Sequence, residues 1–143
     1  MKKINICDKE YTIDCNAYTY VQFKNIFKRG LFSDLQIIKN FLSRQSKIIF
    51  ELTQEKIGGK DLNKLDKNEK KKVDVEIEKE LNIRLLDYID DFIEAITRIA
   101  YILVYEANPD FKTYEEFMKE IPRLSVDDDW VLEVTEFAVE KFC

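Results

Sequence analysis

Residues 85–106 read LLDYIDDFIEAITRIAYILVYE, and this stretch decides the fold. Leu85, Ile89, Phe92, Ile96, Ile99 and Leu103 recur at steps of four and three, which draws one apolar stripe along a helix. In the first half Asp87, Asp90, Asp91 and Glu94 occupy the opposite face. From Ile99 to Tyr105 the apolar residues run all the way round, as in a helix that passes through the middle of a bundle. The stretch is too short in apolar length for a membrane span and it contains Arg98. It predicts a central core helix over about 85–107.

The rest of the chain is read outward from that helix. With 143 residues there is enough chain for one domain with a real core, so a single domain over 1–143 is expected. Only three Gly and two Pro are present, which suits long helices and few tight turns. Upstream, Ile4, Ile6, Tyr11 and Ile13 alternate with polar residues around Asp8-Lys9-Glu10, predicting a short N-terminal β-hairpin with its turn at those three residues. Two strands alone are marginal, so the hairpin needs a helix to pack on.

Asn16 is the expected N-cap of a first helix that places Tyr20, Phe23 and Phe27 together and stops at Gly30. Ser33 is the expected cap of the next, with Asp34 in its first turn and a stripe of Leu35, Ile38, Leu42, Ile49 and Leu52 interrupted by Gln45. From 53 to 66 the pattern fails, and Gly58-Gly59 with its Lys/Asp/Asn-rich surroundings reads as a flexible linker. Gly58-Gly59-Lys60 lacks the upstream glycine of a phosphate-binding loop.

Asp66 and Glu69 make a capping-box-like start to a charged helical arm over 67–84. Within it 72–78 is ambiguous. Val73, Val75 and Ile77 alternate as in a strand, while Val73, Ile77, Leu81 and Leu85 step by four as in a helix. The abundance of Glu and Lys favours helix. One unbroken helix from the arm to Asn108 would be roughly 60 Å long at 1.5 Å per residue. A compact domain of this size is only about 40 Å across, so the first turns would protrude, bend or fray.

Asn108-Pro109 ends the core helix. Thr113 to Glu116 is a capping box for a short helix with Phe117 and Ile121, closed by Pro122. Ser125 to Asp129 opens a last helix, its acids suited to the positive end of the helix dipole. Trp130, Val134, Phe137, Ala138 and Phe142 then line one face.

The chemistry-bearing residues are sparse. There is no histidine, which removes Ser–His and Cys–His catalysis and the commonest metal ligand. The acids at 87, 90, 91 and 94 oppose the apolar stripe, so they read as a solvated face rather than a metal site. Asp127-Asp128-Asp129 lacks the spaced ligands of a calcium loop. Tyr101, Tyr105, Phe111, Phe117, Trp130 and Phe137 sit at helical spacing among acids, as core aromatics do. No catalytic, cofactor or metal residues emerge, and an interaction protein rather than an enzyme is the expectation. Cys7, Cys15 and Cys143 share no metal-like spacing and read as free thiols of a reducing cytoplasm; no signal peptide is visible. The net charge of −5 hides a split: residues 1–50 hold nine Lys/Arg against four Asp/Glu, and 101–143 hold four against eleven. An acidic chain with no concentrated basic face is a poor nucleic-acid binder. Opposite charges at the two ends could attract each other within or between subunits, but solvated faces are the expected reading.

The second half resembles a known family. After an apolar helix come EANPDFKTYEEFMKEI (106–121) and DDDWVLEVTEFAVEKF (127–142). With the opening pattern K-I-x-I…D-K-E-Y-x-I, these are similar to the tail assembly chaperones of long-tailed bacteriophages and prophages. The likeness covers about 1–30 and 85–142; residues 53–82 have no counterpart. It implies a small, mostly helical protein of the bacterial host cytoplasm, absent from the finished particle. Such a protein holds the tape measure protein until tail tube subunits polymerise round it, with several copies along the client. Partners would be the tape measure protein, the tube protein and further copies of the chain, with no membrane and no nucleic acid. The alternative is a helical oligomerisation or regulatory module without a tail client. A metal-dependent enzyme using the acidic face is a third, weaker reading. Partner-binding residues are not legible; the exposed part of the last helix and the arm at 67–84 are the nearest candidates.

Overall fold

The computed structural model describes residues 1–58 and 66–142. The chain is mainly helical, with a short N-terminal hairpin and a long central helix. Strands β1 (Lys2–Ile6) and β2 (Lys9–Ile13) precede α1 (Thr19–Phe27), α2 (Leu31–Ile57), α3 (Lys67–Ala107), α4 (Tyr114–Glu120) and α5 (Asp129–Phe142). Where one domain is expected, the residues group into two compact units: Met1–Ile38 with Asp91–Cys143, and Lys39–Asp90.

In the first unit β1 and β2 pair antiparallel, with Ile4 opposite Tyr11 and Ile6 opposite Lys9. Ile4, Ile6 and Ile13 are buried, and β1 packs against α5. The turn falls one residue earlier than the sequence suggests. Cys7 and Asp8 take φ of +49° and +70°, two consecutive left-handed residues as in the two-residue hairpin turn whose twist matches the strands, while Lys9 and Glu10 belong to β2.

Helix α1 also starts later than expected. Asn16 does not cap it directly; its Oδ1 accepts from the Tyr18 N–H at 2.8 Å, building a turn that leads into Thr19. At the other end Lys28, not Gly30, adopts the left-handed conformation, at φ +59°, and its N–H donates to Lys24 O. Ser33 lies inside α2 rather than at its cap, because α2 already begins at Leu31.

The buried part of α3 is the centre of this unit. Phe92, Ile96 and Ile99 to Val104 are all buried. The polar groups caught there are paired: Thr97 Oγ1 donates to Ile93 O at 2.8 Å and lies 3.0 Å from Tyr114 Oη, and Tyr101 Oη donates to Lys112 O at 2.8 Å. Aromatic rings close the layer over Tyr101: Phe27, Phe111, Tyr114 and Phe117 all lie within about 6 Å of it, centroid to centroid. Thr113 caps α4 by accepting from the Glu116 N–H at 3.3 Å, as the capping box predicts, and Phe117 is fully buried. Trp130, Val134, Phe137 and Ala138 of α5 are buried, with Phe142 half-buried.

The second unit holds the rest of α2 and the first turns of α3. Phe41 and Leu52 of α2 are buried, Leu42, Gln45 and Ile48 are half-buried, and Ile49 is exposed, so the buried stripe runs slightly off the expected one. The expected linker needs correction at its start. Residues 53–57 continue α2 because Ile57 is buried one and a half turns beyond Leu52. The remainder of that expectation, 59–65, lies outside the described residues. Asp66 Oδ1 accepts from the Glu69 N–H at 2.7 Å and starts α3. The ambiguous segment 72–78 is helix: Ile77, Leu81 and Leu85 are buried and Val73 half-buried, whereas Val75 is exposed. The four-residue period wins because it continues into the core stripe.

Candidate interaction surface

The acidic residues do not converge on a site. Asp87, Asp90, Asp91 and Glu94 are all exposed on α3. Asp127 and Asp129 are exposed at the start of α5, with the Asp127 N–H donating to Ser125 Oγ. Among the described residues no group of three or more potential ligands could hold a metal ion, and no helix is long and apolar enough to cross a membrane. A cleft of about 420 Å³ opens between the hairpin turn and the start of α5, lined by Cys7, Asp8, Arg123, Asp128, Trp130 and Glu133.

The most strongly held charges lie elsewhere. Asp34 is fully buried, and Arg98 grips it with two bonds, Nε to Oδ2 at 2.7 Å and a terminal nitrogen to Oδ1 at 3.0 Å. Arg29 adds a third contact at 2.9 Å to Oδ1. Burial opposes the Arg98 charge, but the hydrogen bonds and negative charge of Asp34 outweigh it and raise the guanidinium pKa. The cluster fixes the start of α2 against α3. The sequence places Asp34 in the first turn of a helix but does not reveal its partner, 64 residues away. The available signal is that Arg98 is the one charged residue between Ala95 and Tyr105.

What the first unit does present outward is aromatic. Tyr18, Tyr20 and Phe32 are 55%, 49% and 54% exposed, with Ile26 at 37%. Tyr20 in the first turn of α1 and Phe32 in the first turn of α2 stack obliquely, centroids 6.2 Å apart, and form an aromatic corner between the two helices. Tyr20 shares the stripe of Phe23 and Phe27, as expected, but only Phe23 is buried and Phe27 half-buried; Tyr20 sits at the outer end and turns to Phe32 instead. On α5, Leu132 is 59% exposed. In the second unit Phe50, Val75, Ile83 and Leu86 are each about half to two-thirds exposed. Large apolar side chains grouped at a surface mark sites of association. Of the two segments that the sequence offers as interaction surfaces, the arm at 67–84 exposes Val75 and Ile83, and the last helix, among the described residues, exposes Leu132.

No family model matches the chain, and no curated protein or solved structure matches it.

Proposed function

We propose that this chain is a tail assembly chaperone of a long-tailed bacteriophage or prophage. It binds the tape measure protein in the host cytoplasm, hands it to the assembling tail tube and leaves the finished particle. It carries out no reaction of its own. The observation that carries this reading is the exposed aromatic corner of Tyr18, Tyr20 and Phe32. A long helical client with apolar stripes needs an apolar surface to shelter it, and aromatic rings offer large contact area at small entropic cost. The corner lies in the unit that also contains most of the stretch resembling those chaperones, about 1–30 and 85–142.

Co-expression with the tape measure protein of the same genome tests it. The client is expected to stay soluble and to co-purify with the chain. A client that pellets equally with and without the chain ends the proposal.

The alternative, a helical oligomerisation or regulatory module without a tail client, draws on Val75, Ile83 and Leu86 of α3. It is favoured over the chaperone if the chain self-associates yet captures no tape measure protein.

A further inference from the structure

The outer face of the first turns of α3 has a spacing that reads the same in both directions. Lys71, Val75, Lys79, Asn82, Leu86 and Asp90 follow one another at steps of four, four, three, four and four, and all six are exposed. Eleven residues make about three turns, so Val75 and Leu86 lie almost in line. The buried residues of the same segment, Ile77, Leu81 and Leu85, occupy the other side of the helix. A shallow groove of about 430 Å³ runs along the upper part of the outer face, lined by Asn68, Lys71, Lys72, Val75, Glu76 and Lys79.

The two ends of the segment differ in charge, with acids and bases mixed between them. Residues 67–72 hold Lys67, Lys70, Lys71 and Lys72 against Glu69 alone, and 87–90 hold Asp87 and Asp90 with no cation.

We infer that this face pairs with the same face of a second copy, antiparallel, about a two-fold axis between Lys79 and Asn82. The symmetric spacing then sets Lys71 of one copy against Asp90 of the other, Val75 against Leu86, and Lys79 against Asn82. Each contact occurs twice, as a two-fold interface requires. The parallel arrangement would lay the lysine-rich start of one helix along that of the other, with the acids likewise together. The antiparallel one replaces both repulsions by attraction. Ile83, 63% exposed, flanks the seam and would lose water on pairing. The seam holds two apolar side chains per copy, so the association is of the small, transient class, and salt weakens it. The pairing holds whether or not the chain serves a tail client.

Sedimentation velocity of the full chain up to millimolar concentration, at low and high salt, reads it directly. The wild type is expected to dimerise. Lys71→Glu and Asp90→Lys should each raise the dissociation constant roughly tenfold, since every ion pair occurs twice in the dimer. The double variant Lys71→Glu/Asp90→Lys should restore wild-type affinity, because the two reversed charges again face each other across the axis. Both positions of change are exposed, and circular dichroism should show undiminished helix. A chain monomeric at all concentrations overturns the inference. So does a dimer indifferent to the single reversals, or one the double variant fails to restore. A monomer whose Leu86→Lys variant loses the tape measure protein would assign the face to that client and overturn it equally, leaving the chaperone reading intact.

Discussion

Asp34 and Arg98 are joined by two hydrogen bonds of 2.7 and 3.0 Å across 64 residues of chain, with the Asp34 side chain wholly out of solvent and that of Arg98 only 12% exposed. A charge so buried is costly unless it is matched, and removing one partner strands the other. Asp34→Ala is therefore expected to cost about 3–5 kcal/mol, read as a lowered urea midpoint at unchanged slope. Arg29→Ala should cost less, about 1 kcal/mol, because its side chain is 40% exposed and Arg98 still neutralises Asp34. Asp34→Leu/Arg98→Met, which removes both charges and keeps apolar bulk, should be milder than Asp34→Ala alone. A double variant costing the sum of its singles would show that the two side chains act independently.

Thr113 tests the capping box at much smaller scale. Its hydroxyl satisfies the Glu116 N–H at the start of α4, and α4 brings Phe117 into the core. Thr113→Ala is expected to cost about 1 kcal/mol and Thr113→Ser close to nothing. Phe117→Ala should cost about 3–5 kcal/mol, since the ring is fully buried against Tyr101, Phe111 and Tyr11. Thermal unfolding of the three variants ranks them.

Of those two sites only the second is legible in the sequence. The capping box, the stripe from Leu85 to Leu103 and the alternation of the hairpin are local patterns whose residues lie within a few positions of one another, and each appears where it was read. The conformations of Lys28 and Cys7 were not legible. Left-handed backbone usually selects Gly or Asn, but here the hairpin turn puts Cys7 and Asp8 in it and the end of α1 puts Lys28 in it. Helix α2 outran its predicted end because Ile57 is covered by neighbours that a local pattern does not contain. The Asp34–Arg98 pair was hidden for the same reason. Surface exposure was least legible of all, since Tyr20 reads as core by periodicity and only the fold exposes it.

Two glutamates of the first unit should give the stability curve opposing acid-range slopes. Burial, then the charge of Asp14, raises the pKa of Glu106, whose Oε1 is buried without a hydrogen-bond partner among the described residues. The folded state thus holds that proton more tightly than the unfolded chain. Its contribution to stability falls as pH rises from the ordinary glutamate value, about 4.3, through the raised one. Glu106→Gln removes this loss and should raise the melting temperature at pH 7, with no gain at low pH. Glu120 is the reverse case. A hydrogen bond from Lys112 lowers its pKa, and Lys9 lies 3.5 Å away. Its stabilisation is present above about 4.3 and is lost as pH falls through the depressed value. Glu120→Gln should lower the melting temperature at pH 7, and the gap should close on acidification. Melting curves from pH 3 to 8 separate the two signs.

The aromatic corner makes the sharpest functional prediction, because its residues are exposed. Tyr20→Lys and Phe32→Lys replace rings that are about half in water, so stability should change by no more than about 0.5 kcal/mol. Both place positive charge where a client's apolar stripe would lie. Each is expected to reduce the soluble fraction of co-expressed tape measure protein severalfold, and together they should abolish its recovery. Leu132→Lys on α5 serves as the comparison, since Leu132 is equally exposed but stands without a second exposed large apolar residue on its helix. If the client remains soluble with Tyr20→Lys/Phe32→Lys and aggregates with Leu132→Lys, the holding surface lies on α5. The grouping of rings at the α1–α2 corner would then have no part in chaperoning.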